Sequence, residues 1–218
     1  MNVLSLAQVT SFDHVFVPAA QPDRKLVVVL HGLGDSLEGF MWMPRQIQLP
    51  QVDFLLVNAP IPYFMGYAWY DIEDPRPGVL AARELLTQLF EEQEKEGWSS
   101  ENIVLFGFSQ GCLVSIDFAL RYPKPLAGIV GVSGYALLEG NLKKEIHPQA
   151  RKQAWLVTHG HMDAILPLER TRGQMEALRG HGIPIEWHEF NKEHTIDFED
   201  ELPLFRQWIA GQWEGTAE

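Results

Sequence analysis

The chain has 218 residues, of which 46% are hydrophobic and 21% charged, enough for one sizeable core and a single domain over 1–218. Its net charge of -12 argues against nucleic acid or an anionic membrane surface as main partner, since both need a basic patch and no Lys/Arg run occurs. One cysteine, Cys112, rules out an intrachain disulfide, and no apolar run approaches the roughly 18 to 20 residues of a membrane span.

Residues 1–7 lack a basic stretch and soon meet Asp13 and His14, so no signal peptide is read there and a cytoplasmic location is expected. Residues 14–17 suit a first edge strand. Residues 26–30, a short β-branched run, predict a strand buried on both faces. It runs into His31-Gly32-Leu33-Gly34-Asp35, a loop whose glycines let the backbone turn inward. A further strand is expected at 54–57, followed by a long irregular stretch over 59–77 with four prolines and many aromatics. A loop of that kind either forms a substrate wall or folds on its own side chains, and Phe64 and Trp69 are its candidate wall residues. Helical spacing follows over 78–95, with Leu85, Leu86, Leu89 and Phe90 on one face.

The strand predicted at 103–106 leads into Gly107-Phe108-Ser109-Gln110-Gly111, and 112–120 reads as a helix. In that context G-x-S-x-G predicts a serine on a tight strand-to-helix turn, with glycines two positions either side for steric reasons. Strands at 128–132 and 155–157, a helix over 167–179, a partly exposed last strand at 185–190 and a helix over 198–213 complete the pattern. Pro203 leaves the start of that last helix open. Alternating strands and helices predict an α/β architecture, a mostly parallel central sheet with helices on both faces.

A serine hydroxyl is a poor nucleophile unless an imidazole takes its proton and a carboxylate orients the imidazole. In such a sheet the three come from loops at the C-terminal strand ends, in the order serine, acid, histidine. After Ser109, Asp163 lies just past the strand at 155–157, whereas Glu169 falls inside the next helix. His181 sits between glycines, His188 lies within the last strand, and His194 alone follows it on a loop. His159 and His161 flank the acid and read as structural or as supports for it, and a small core thiol is the preferred reading of Cys112. Backbone N–H groups of Leu33 and Gln110 are the candidate oxyanion donors. This chemistry calls for no metal and no organic cofactor.

With those residues in place the chain resembles the carboxylesterase, lysophospholipase and acyl-protein thioesterase family of α/β hydrolases. The resemblance rests on His31–Asp35, Ala68-Trp69-Tyr70-Asp71-Ile72, the Gly107–Gly111 elbow, His159-Gly160 through Asp163 with Pro167, and His194. It departs at Cys112, where the family elbow continues with glycine, and at Glu193, where a glycine usually precedes the histidine. The resemblance implies an α/β-hydrolase fold and cleavage of carboxylic esters or thioesters through an acyl-enzyme. Its implied substrates are small esters, thioesters, lysophospholipids or acylated proteins. A dienelactone or lactone hydrolase is the rival, but those carry cysteine at the elbow where this chain has Ser109. A non-catalytic binding protein on the same fold is a second rival, which a fluorophosphonate probe would discriminate.

Overall fold

Apolar runs too short for helices form the strands, and their alternate residues face two separate cores. A computed structural model describes residues 12–138 and 142–213; the N-terminal residues read above for a leader lie outside the described residues. The strands are β1 (His14–Val17), β2 (Lys25–Leu30), β3 (Val52–Val57), β4 (Ile61–Tyr63), β5 (Gly66–Ala68), β6 (Ile103–Phe108), β7 (Gly128–Val132), β8 (Ala154–Gly160) and β9 (Ile185–Phe190). The helices are α1 (Met43–Ile47), α2 (Pro75–Lys95), α3 (Gln110–Arg121), α4 (Leu142–Glu145), α5 (Leu168–Gly180) and α6 (Glu201–Gly211).

A seven-stranded sheet runs in the order β1-β3-β2-β6-β7-β8-β9. Only β1 is antiparallel to its neighbour; the other pairings are parallel, as the alternating pattern predicts. Leu26, Val28 and Leu30 of β2 face a core shared with Leu86 of α2, Phe118 of α3 and Leu178 of α5. Val27 and Val29 face the opposite core, shared with Ile47 of α1 and Phe205 of α6. Helices therefore cover both faces, which is why the central strands are continuously apolar. The register pairs Leu30 with Gly107, Phe108 with Val132, and Val132 with Thr158. These C-terminal strand ends lie level, so the loops that follow them share one edge of the sheet, where ligands bind in such folds.

Three local expectations change. The stretch 59–77 is not irregular throughout, because β4 and β5 pair as an antiparallel hairpin. Helix α2 begins at Pro75 rather than residue 78, with Pro75 and Pro77 in its first turn. The missing amide hydrogens of proline do no harm there, since first-turn N–H groups have no intrahelical partner. Helix α6 begins at Glu201, three residues later than residue 198, and Pro203 again falls in the first turn. The short 3-10 turn Leu37–Phe40 and helix α1 had no counterpart in the sequence pattern, each being too short to show a period. Among the described residues no helix is long and apolar enough to cross a membrane.

Candidate active site

The turn between β6 and α3 holds Ser109 at φ 53 and ψ -112, a left-handed conformation that non-glycine residues rarely adopt. Its N–H donates to the Val132 carbonyl at 2.9 Å, which ties the strained residue to the end of β7. A Cβ on Gly107 would lie 2.3 Å from the Gly111 carbonyl oxygen, and one on Gly111 would lie 2.4 Å from that of Leu30. Both glycines are thus required by backbone-to-backbone approach. The second contact also presses the elbow onto the end of β2, from which the next loop departs.

That loop, His31–Asp35, is braced by buried hydrogen bonds. Ala59 N–H donates to His31 Nε2 at 3.0 Å, so the opposite nitrogen, Nδ1, carries the proton and donates to the Gly32 carbonyl at 2.6 Å. Burial pushes the His31 imidazole below its ordinary 6.5, with the Gly32 carbonyl opposing. The Trp69 indole N–H donates to the His31 carbonyl at 2.9 Å. Gln110 clasps the same segment from the elbow side: its Oε1 accepts from Trp69 N–H at 2.9 Å and its Nε2 donates to the Tyr70 carbonyl at 3.0 Å.

Asp163 and His194 come from the loops after β8 and β9. The Met162 N–H donates to the Lys192 carbonyl at 3.1 Å and His161 N–H to that of Phe190 at 2.8 Å, so the two loops are laced together. Asp163 Oδ2 lies 2.7 Å from His194 Nδ1, and His194 Nε2 lies 2.9 Å from Ser109 Oγ. A carboxylate only accepts, so Nδ1 carries the proton and Nε2 is left to accept from the serine hydroxyl. The other oxygen, Oδ1, accepts from the N–H groups of Ile165 at 3.0 Å and Leu166 at 2.8 Å. Burial alone works against ionisation of Asp163. The Leu166 N–H and the His194 imidazole together outweigh it and hold the carboxyl below its ordinary value. Such a chain can take a proton from the serine as it attacks a carbonyl and return it to a leaving group.

His159 is fully buried behind this chain, donates from Nε2 to the Leu166 carbonyl at 2.8 Å and stacks on Trp187, so it shapes the acid loop. His161 is exposed beside Glu189, at 3.7 Å. His188 pairs with Glu186 on the surface and, although level with Phe108 in the register, stands three strands across the sheet from it. Glu169 is exposed and bonds Arg172. Cys112 fills the space that Gly131 and Gly134 leave, where an added Cβ would lie 2.8 and 2.3 Å from its side chain, and burial pushes its thiol up to about 12. The thiol is therefore an interior filler at neutral pH. Glu193 points to solvent.

A cleft of about 230 Å³ opens beside Ser109 and His194, and Leu33 and Gln110 both line it. Its apolar wall consists of Tyr70, Ile72, Ile165 and Leu166, with Tyr135, whose hydroxyl accepts from that of Tyr70 at 3.1 Å. The expected wall residues Phe64 and Trp69 are absent from it. Trp69 has no exposed surface because Phe12, His31 and Gln110 close around it. Phe64, 92% exposed, stands at the tip of the β4–β5 hairpin. The sequence offered a signal for this lining in Ile165-Leu166, an apolar pair two residues after the candidate acid. Among the described residues no group of three or more His, Cys, Asp or Glu side chains is placed to hold a metal ion.

The family model described as phospholipase/carboxylesterase matches residues 13–209. An acyl-protein thioesterase 1 from Schizosaccharomyces pombe is 34% identical over 155 residues, 65% of this chain and 69% of that protein. A protein of the same name from Aspergillus fumigatus is 30% identical over 230 residues, covering 92% of this chain and 95% of its own length. Among solved structures, esterase PE8 superposes with a TM-score of 0.81 at 27% identity, covering 93% of this chain and 99% of that one. The chain belongs to the phospholipase/carboxylesterase family, has the α/β-hydrolase fold, and is a serine hydrolase of the ester and thioester type.

Proposed function

We propose that this family member hydrolyses esters or thioesters with Ser109 as nucleophile, His194 as general base and then acid, and Asp163 as the group that orients the imidazole. Ser109 Oγ attacks the substrate carbonyl while its proton passes to His194 Nε2. The N–H groups of Leu33 and Gln110 stabilise the oxyanion, Gln110 being the first residue of α3, whose N-terminal N–H groups are unpaired and whose dipole favours negative charge. Collapse of the tetrahedral intermediate expels an alcohol or thiol that takes the proton from His194. A water then attacks the acyl-enzyme by the reverse sequence, with His194 as base again. Apart from that water, every group that moves a proton or stabilises charge belongs to the chain.

The observation that carries this reading is the unbroken hydrogen-bond chain from Asp163 through His194 to a serine held at positive φ. The apolar cleft suits the acyl chain of a small ester, a lysophospholipid or an acylated protein, the last being the substrate class named in the thioesterase relatives. One sheet serves both cores, which supports a single domain, and the lone cysteine favours a cytoplasmic setting. The test is labelling with a fluorophosphonate and mapping of the adduct by mass. Labelling of Ser109 is expected, and Ser109→Ala should lower kcat on an activated ester by roughly 10⁴- to 10⁶-fold. Retention of more than a tenth of the wild-type rate overturns the assignment.

A further inference from the structure

His194 is carried by the segment between β9 and α6, and that segment is held by more than its contact with Asp163. Two residues before His194, the Lys192 residue is 4% exposed; Glu201, the first residue of α6, is 0% exposed. The Lys192 ammonium donates to Glu201 Oε1 at 2.5 Å, and Glu201 Oε2 accepts the backbone N–H of Asp197 at 2.9 Å. The Lys192 main chain reaches the other way. Its carbonyl accepts from Met162, the residue before Asp163, and a Cβ on Gly160 would lie 2.2 Å from that oxygen. Lys192 thus joins the end of β8, the acid loop, the histidine loop and the start of α6.

Stability does not account for the pair. Burying both ions has a large desolvation cost, and an apolar pair of similar volume is often as stable or more so. What an ion pair provides beyond an apolar contact is a single preferred geometry. Its direction here runs along the span between the two ends of the loop that carries His194. The charged and titratable groups near the ammonium are Glu201, Asp197 and Asp163, with His159 and the Cys112 thiol also in its field. We infer that Lys192 and Glu201 are positioning residues for the hydrolysis, a buried strut that fixes the His194 ring at its height over Ser109. The inference rests on the reading of His194 as the base.

The test uses the full chain in three variants beside wild type: Lys192→Met/Glu201→Leu, Glu201→Gln and His194→Ala. Steady-state kinetics on an activated ester and thermal denaturation are measured for each. The double variant fills the same space without charge, so its melting temperature is expected to equal or exceed that of wild type. Its kcat is expected to fall about 10- to 100-fold with KM within twofold, since a displacement near 1 Å can cost that much. Fluorophosphonate labelling of Ser109 should slow by the same factor. A folded double variant within threefold of the wild-type kcat overturns the strut, because a pair that only fills space would leave the rate intact. Glu201→Gln keeps the shape and one acceptor while removing the charge. Should the double variant not fold, a fall in kcat at constant KM in Glu201→Gln supports the inference and an unchanged kcat overturns it. His194→Ala separates the two levels: if it retains more than a tenth of the rate, the base is misassigned whatever the pair does.

Discussion

Asp163→Asn is a nearly isosteric change whose effect is decided by which way the amide points. In the native site Oδ1 accepts two backbone N–H bonds, from Ile165 and Leu166, while Oδ2 accepts from His194. An asparagine has one oxygen and one NH₂ group to share between these positions. With its NH₂ toward the two backbone donors it would lose both bonds and oppose donor to donor. At about 1–3 kcal/mol for each buried donor left without a partner, that orientation lies about 2–6 kcal/mol higher. The oxygen therefore stays with Ile165 and Leu166, and the NH₂ faces His194 Nδ1. The imidazole must then place its proton on Nε2, where it points at Ser109 Oγ and cannot accept the serine proton. The productive orientation is populated at roughly 3 × 10⁻² to 4 × 10⁻⁵, and the imidazolium also loses its counter-charge, so kcat is expected to fall by about 10⁴-fold, or about 5.4 kcal/mol. The assay is the initial rate on an activated ester, with thermal denaturation as the control for folding. Charge-assisted bonds to the loop become neutral ones, so a loss of about 1–2 kcal/mol of stability is expected and the protein stays folded at 25 °C. Asp163→Ala frees the imidazole to take either tautomer, so Asn should be no more active than Ala. An Asn variant that keeps over a hundredth of the wild-type kcat refutes the reasoning.

Other expectations follow from single contacts. Gly111→Ala should lower stability by about 1–3 kcal/mol and depress kcat, since its Cβ meets the Leu30 carbonyl at 2.4 Å. Gly173→Ala, in α5 with nothing within 4 Å, should instead raise stability by about 0.5–1 kcal/mol, and paired melting curves that show no opposite shifts would contradict both. Each methylene buried in the cleft adds at most about 0.8 kcal/mol, a factor of roughly four in kcat/KM, so the rate should rise with acyl length and then level off. Ile165→Ala should flatten that rise over C2 to C12 esters, whereas Trp69→Phe should leave its slope unchanged and lower the melting temperature; the reverse pattern would move the acyl site. Stability should fall as pH drops below 6.5, because burial depresses the His31 and His159 imidazoles below that ordinary value. The unfolded chain then binds protons before the folded one, from 6.5 down through the depressed values. A melting temperature that rises between pH 7 and pH 5 would reverse this sign.

The strands, the elbow and the order of Ser109, Asp163 and His194 were legible because each rests on a local rule. A short apolar run cannot make a helix, and a serine at positive φ between packed backbones admits only glycine two positions away on either side. Chain order pointed to His194 rather than His181 or His188, since only one histidine follows the last strand, and the fold places it between Asp163 and Ser109. The wall of the cleft followed no such rule. Trp69 and Phe64 lie on the same aromatic stretch, yet one is sealed in the core and the other stands in solvent. Their difference depends on residues far away in sequence: Phe12 and His31 pack on the indole, and Gln110 accepts the Trp69 backbone N–H. Tyr135 and Ile165 reach the cleft from two different loops, so no single window of sequence contains the wall. The Lys192–Glu201 pair was equally hidden, for each residue alone reads as a surface charge. Their burial arises only when α6 folds back over the loop that carries His194, because a charge enters a core solely where its partner is already in place.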